Sequence, residues 1–103
     1  MPYIGKVKLS DEWTSLQSLV REQISGQSAF EFDEDLTYQL QAEGNLGARL
    51  CEATSAPTAI EDGFEIKDTV TALFKPSTGV LYVKVGFSGK LTDAVLLKIS
   101  SLG

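Results

Sequence analysis

Four carboxylates crowd one short stretch: Glu31, Asp33, Glu34 and Asp35. Calcium is the ion such a cluster would suit, because it takes several carboxylate and carbonyl oxygens at once. The spacing is not that of an EF-hand, whose glycine and terminal bidentate glutamate are both missing. The cluster therefore reads as a solvated acidic turn. Glu61 and Asp62 would add ligands only if the fold brought two loops together. Paired carboxylates can also hydrolyse glycosides, one as acid and one as base or nucleophile. Fourteen acids in 103 residues supply many accidental pairs, and nothing singles out two in a cleft. Cys51 is the single cysteine, and the chain has no histidine to activate it. It reads as a small buried hydrophobe. Trp13, Tyr38, Tyr82 and Phe87 could stack a sugar or a base. Aromatics at core-facing periods are more often core.

Composition narrows the chemistry further. With no histidine, mechanisms that use it as base, nucleophile or metal ligand are excluded. Nine basic residues against fourteen acidic ones leave a net charge of −5, which argues against a nucleic-acid partner. No glycine-rich phosphate loop is present. One cysteine allows no intrachain disulfide. Neither a signal-peptide run nor a membrane-length apolar stretch occurs. The expectation is a non-enzymatic protein without catalytic, cofactor-binding or metal-binding residues, made in a cytoplasm, with no membrane partner.

The elements that must position these residues follow from periodicity. Residues 1–103 read as a single domain, with residues 1–9 as an N-terminal arm or first strand. Tyr3, Gly5, Val7 and Leu9 fall on one side of that strand. Ser10 precedes Asp11-Glu12 as a helix N-cap, and Trp13, Leu16, Leu19, Val20 and Ile24 recur at helical spacing. This predicts one helix over about Asp11–Ser25, closed by Gly26. Thereafter the period becomes two. Ala29–Phe32 is short and extended, and Asp33–Asp35 is a turn. Leu36, Tyr38, Leu40 and Ala42 alternate with polar residues, and 46–53 returns across Gly44-Asn45 as the second arm of a hairpin. Thr54–Gly63 is a loop. Further strands start at Phe64 and run over 70–74, 80–87 and 93–100, with breaks at 75–79 and 88–90. The fold expected is a mostly β (α+β) domain, a small antiparallel β-sandwich or barrel with one N-terminal helix packed on it.

Several stretches, in order, carry a resemblance. They are Trp13-Thr14-Ser15-Leu16 with Leu19, Tyr38-Gln39-Leu40-Gln41-Ala42-Glu43-Gly44, Leu50-Cys51-Glu52, Pro57-Thr58, Asp62-Gly63-Phe64 and Leu81-Tyr82-Val83-Lys84. This order, spanning roughly Trp13 to Lys84, resembles small β-rich virion proteins of tailed bacteriophages, among them capsid decoration proteins and tail-fibre or adaptor domains. The resemblance implies a structural virion role, foremost a decoration or cement protein on the assembled shell, with other virion proteins as partners. It also implies that the cytoplasm in which the chain is made is a bacterial host's. The alternative is a tail-fibre or tail-adaptor module that recognises a carbohydrate or another tail protein. A homo-oligomer is also expected. Val80 and Tyr82 oppose Leu81 and Val83, and Leu96 opposes Val95 and Leu97, which gives strands that are apolar on both faces. Decoration proteins of the kind resembled often sit at three-fold or quasi-three-fold points of capsids, so the resemblance implies, by analogy, a trimer as the first expectation.

Overall fold

A computed structural model describes residues 3–44, 47–55, 63–67, 69–76, 79–86 and 95–102. Two antiparallel four-stranded sheets face each other. The first is built from β1 (Tyr3–Lys8), β8 (Leu96–Ser101), β3 (Tyr38–Glu43) and β6 (Thr71–Phe74), adjacent in that order. The second orders β2 (Thr14–Ser15), β7 (Val80–Val85), β4 (Ala48–Ala53) and β5 (Phe64–Ile66). Alternate residues point inward, as the period of a strand requires. Val7, Leu40, Ala42, Leu97 and Ile99 come from the first sheet, and Ala48, Leu50, Ile66, Val83 and Val85 from the second. Together with Leu16 and Val20 of the helix they make one core. The mostly β sandwich with a single helix is the fold expected from periodicity.

The helix is shorter than its spacing predicts. It runs Leu16–Gln23, and Ser15, not Ser10, is its N-cap, its hydroxyl accepting from Ser18 N–H at 3.3 Å. Ser10 instead ties a local turn, accepting from Glu12 N–H at 3.3 Å. The reason is strand pairing: Thr14 and Ser15 lie in register with Val83 and Tyr82 of β7, which holds them extended. Leu16, Leu19 and Val20 keep the expected buried stripe, whereas Trp13 falls outside the helix. The C-cap is Ile24, and Gly26, at φ +83°, lies in the turn beyond it. A left-handed backbone there suits glycine.

Two further expectations are corrected. Residues 29–32 form no strand; helix side chains satisfy their backbone instead. Arg21 Nε donates to Phe30 O at 2.7 Å, and Phe32 N–H donates to Gln17 Oε1 at 3.1 Å. The arms predicted as a hairpin, β3 and β4, belong to opposite sheets. Between them Gly44 has φ +133° and Gly47 φ +66°, and Gly47 N–H donates to Gly44 O at 3.0 Å. This turn carries the chain from one layer to the other. Both arms still bury one face, so alternation alone fits either connection. β1 carries a bulge between Tyr3 and Gly5. The bulge leaves Tyr3 exposed while Val7 and Leu9 remain buried.

The two open sides of the sandwich differ. The helix packs against β1, β2 and β7 and covers the side where β1 and β2 are the edges. There the Gln23 side chain accepts from Lys8 N–H at 2.7 Å and donates to Lys8 O at 3.0 Å. On the other side the edges are β5 and β6. Among the described residues, β6 pairs with β3 alone.

Candidate functional site

The acidic stretch forms the expected turn. Leu36 N–H donates to Asp33 O at 3.1 Å, and Asp35 N–H to Asp33 Oδ1 at 2.8 Å. Glu31, Asp33, Glu34 and Asp35 are all exposed. Glu31 stands 3.6 Å from the Arg21 guanidinium. Among the described residues no three acids or cysteines converge in a way that could hold a metal ion. Glu61, Asp62 and Phe87 lie outside the described residues.

Next to this turn is an open groove of about 480 Å³, solvent mouth included, with Gln17, Phe32, Glu34, Phe74, Pro76 and Val80 on its walls. Its aromatic rings are already engaged. Phe32 packs edge to face on Phe30, Tyr38 and Phe74, with centroids 5.0, 4.8 and 5.5 Å away. Gln17 Oε1 is taken by the Phe32 amide. The Tyr38 ring is buried and its hydroxyl accepts from Asp33 N–H at 2.8 Å, so Tyr38 braces the acidic turn from the core.

The remaining singled-out residues meet on the outward face of the second sheet. Trp13, Tyr82 and Cys51 are each partly exposed there, which corrects the core placement of Trp13 and of Cys51. Cys51 lies directly opposite Tyr82. The strand parity that turns Ala48 and Leu50 inward turns Arg49 and Cys51 outward. Lys84 sits opposite Arg49, with its ammonium 6.0 Å from the centre of the Trp13 ring. Composition alone did not mark Arg49 and Lys84. Their signal was parity, since both alternate with apolar neighbours on adjacent strands.

The outward face of the first sheet is mainly polar. Lys6 stands opposite Lys98, and its ammonium meets Glu43 Oε2 at 2.9 Å. The hydrogen bond to Glu43, helped by the attraction of its charge, raises the Lys6 pKa above the ordinary lysine value. At the β5/β6 side the surface turns apolar. Leu73 is 67% exposed, Phe64 58% and Val70 47%. Val80 is exposed as well, so part of the second apolar face read from the sequence does reach solvent.

Comparison with family models, curated proteins and solved structures finds no match. No helix among the described residues is long and apolar enough to cross a membrane. The surfaces above are suited to contact. They supply apolar side chains at a strand edge that pairs with nothing further among the described residues, and charge with aromatic area on one sheet face.

Proposed function

We propose that this chain is a non-enzymatic assembly domain that works by docking on a larger structure. The carrying observation is the contrast between its sheet edges. An edge strand presents unpaired N–H and C=O groups, and proteins blunt such edges with lysine, proline, bulges or a covering element. β1 has all but proline: Lys6 and Lys8, a bulge at Tyr3/Gly5, and the helix with Gln23 hydrogen-bonded to Lys8. The four residues of β6, Thr-Ala-Leu-Phe, hold no charge, and Leu73 is its most exposed apolar residue. Lys75 and Pro76 follow the strand, but among the described residues β6 has no bulge and no element across it, and an apolar edge of this kind suits strand addition by a partner.

The sequence resemblance supplies the class of partner: the domain is a structural protein of a tailed-phage virion, and foremost a decoration protein on the assembled shell. Quantitative mass spectrometry of purified particles tests this. Hundreds of copies per particle are expected for a decoration protein. About a dozen or fewer would move the protein to the tail, and none would refute the virion reading. Leu73→Lys then tests the edge. It should abolish rebinding of the purified protein to stripped shells and leave its melting temperature unchanged, because Leu73 is exposed in the free chain.

A further inference from the structure

Arg49 on β4 and Lys84 on β7 are directly opposite one another, both on the outward face. Like charges in that position repel. Lys84 is only 5% exposed, although it carries a charge. Neither side chain makes a hydrogen bond or an ion pair among the described residues. Glu65 stands opposite Arg49 on β5 without closing an ion pair. The Trp13 ring, 6.0 Å from the Lys84 ammonium, offers a weak cation–π contact. The Lys84 stem is buried, but among the described residues no buried side-chain nitrogen lacks a partner, so its unpaired ammonium reaches solvent at the surface of this face. Two cations thus lie side by side on an aromatic-edged sheet face, with Glu65 opposite Arg49 but ion-paired to neither among the described residues, in a chain of net charge −5.

The same chain carries the complement. Glu34 and Asp35 lie exposed on the acidic turn, and neither is ion-paired among the described residues. We propose that the Arg49/Lys84 face receives the acidic turn of a second copy of this chain. The Arg49 guanidinium offers a planar fork that matches a carboxylate, and the Lys84 ammonium adds a point charge beside it. Trp13 and Tyr82 border this face and supply apolar contact area. The net repulsion between two acidic copies is screened beyond roughly 8 Å at physiological salt, so the local match governs the contact. Because donor and acceptor patches are different surfaces, the contact is head-to-tail, and its repetition builds a closed ring where the rotation between copies closes and an open chain of copies where it does not. The inference does not depend on what the open β6 edge docks on.

Sedimentation velocity of the full chain at physiological and high salt tests it. The wild type is expected to self-associate near physiological salt, where the net repulsion is screened, and to dissociate at high salt, where the local ion pairs are screened as well. Arg49→Glu and the double change Glu34→Lys/Asp35→Lys should each weaken association by about tenfold or more. Thermal melts should show both variants folded, and Arg49→Gln serves as the milder form of the first. Mixing the two variants is the decisive arm. The first retains the acidic turn and the second retains Arg49, so the mixture should re-form a complex that neither forms alone. A monomeric wild type, an Arg49→Glu oligomer of undiminished strength, or a mixture that stays monomeric would each overturn the proposal. None of these results bears on virion copy number, so the proposed function stands or falls separately.

Discussion

Replacing Gln23 by alanine should open the guarded edge of the sandwich. Gln23 is the last residue of α1, and its carboxamide exchanges two hydrogen bonds with the backbone of Lys8, at 2.7 and 3.0 Å. On its other side Lys8 pairs with Leu96 of β8. The amide therefore stands where a further strand would otherwise bind. Each hydrogen bond contributes roughly 0.5–1.5 kcal/mol net, and water can replace the partner of an exposed one. Gln23 is exposed, so the low end applies and the pair is worth about 1 kcal/mol. Alanine is the better helix former, which works against the loss and makes the measured value a lower bound. For a domain near this size, about 1 kcal/mol lowers the melting temperature by roughly 4–8 °C. Gln23→Glu should not rescue, because it keeps the acceptor but turns a second acceptor toward Lys8 O. Thermal melts should be paired with amide hydrogen exchange at Lys8, which should accelerate in both variants. An unchanged melting temperature together with unchanged Lys8 exchange would refute the edge-guard reasoning.

Gly63→Ala should be the most damaging of the small substitutions: a Cβ there would fall 2.0 Å from Leu50 O, at φ +76°. A loss above about 4 kcal/mol is expected in denaturant titrations, since β5 must leave β4 to make room. Trp13→Ala should cost about 1–3 kcal/mol, below the range for a fully buried tryptophan, because the indole is only partly buried. In the wild type the fluorescence of this single tryptophan should be quenched by acrylamide. Lys6 should titrate above the ordinary lysine value of 10.5, by NMR, and return to it in Glu43→Gln. The sign follows from a raised folded-state pKa. The pair's contribution is fully present below pH 10.5 and is lost as pH rises through the higher folded value.

Much of the fold was legible along the chain. The alternation in 36–42 marked β3, and that in 95–100 marked β8. The spacing of Leu16, Leu19 and Val20 marked the helical stripe, and the acidic run marked a turn. These are local signals, because side-chain parity on a strand or helix is fixed by backbone geometry alone. What parity cannot say is which sheet a strand joins. β3 and β4 each bury one face in either arrangement, and only the packing of the two layers separates them. The same limit explains the helix start. Helical spacing included Trp13, but pairing of Thr14 and Ser15 with β7 outweighed helix extension, and Trp13 came to rest beside Lys84. Arg49 and Lys84, 35 positions apart in number, became neighbours through the β4–β7 register. Charge count, the lack of histidine and the strand periods were set by the sequence itself. Which edge the helix covers, which strand ends its sheet among the described residues, and which two cations share a face were decided by tertiary pairing, because each depends on contacts between segments distant along the chain.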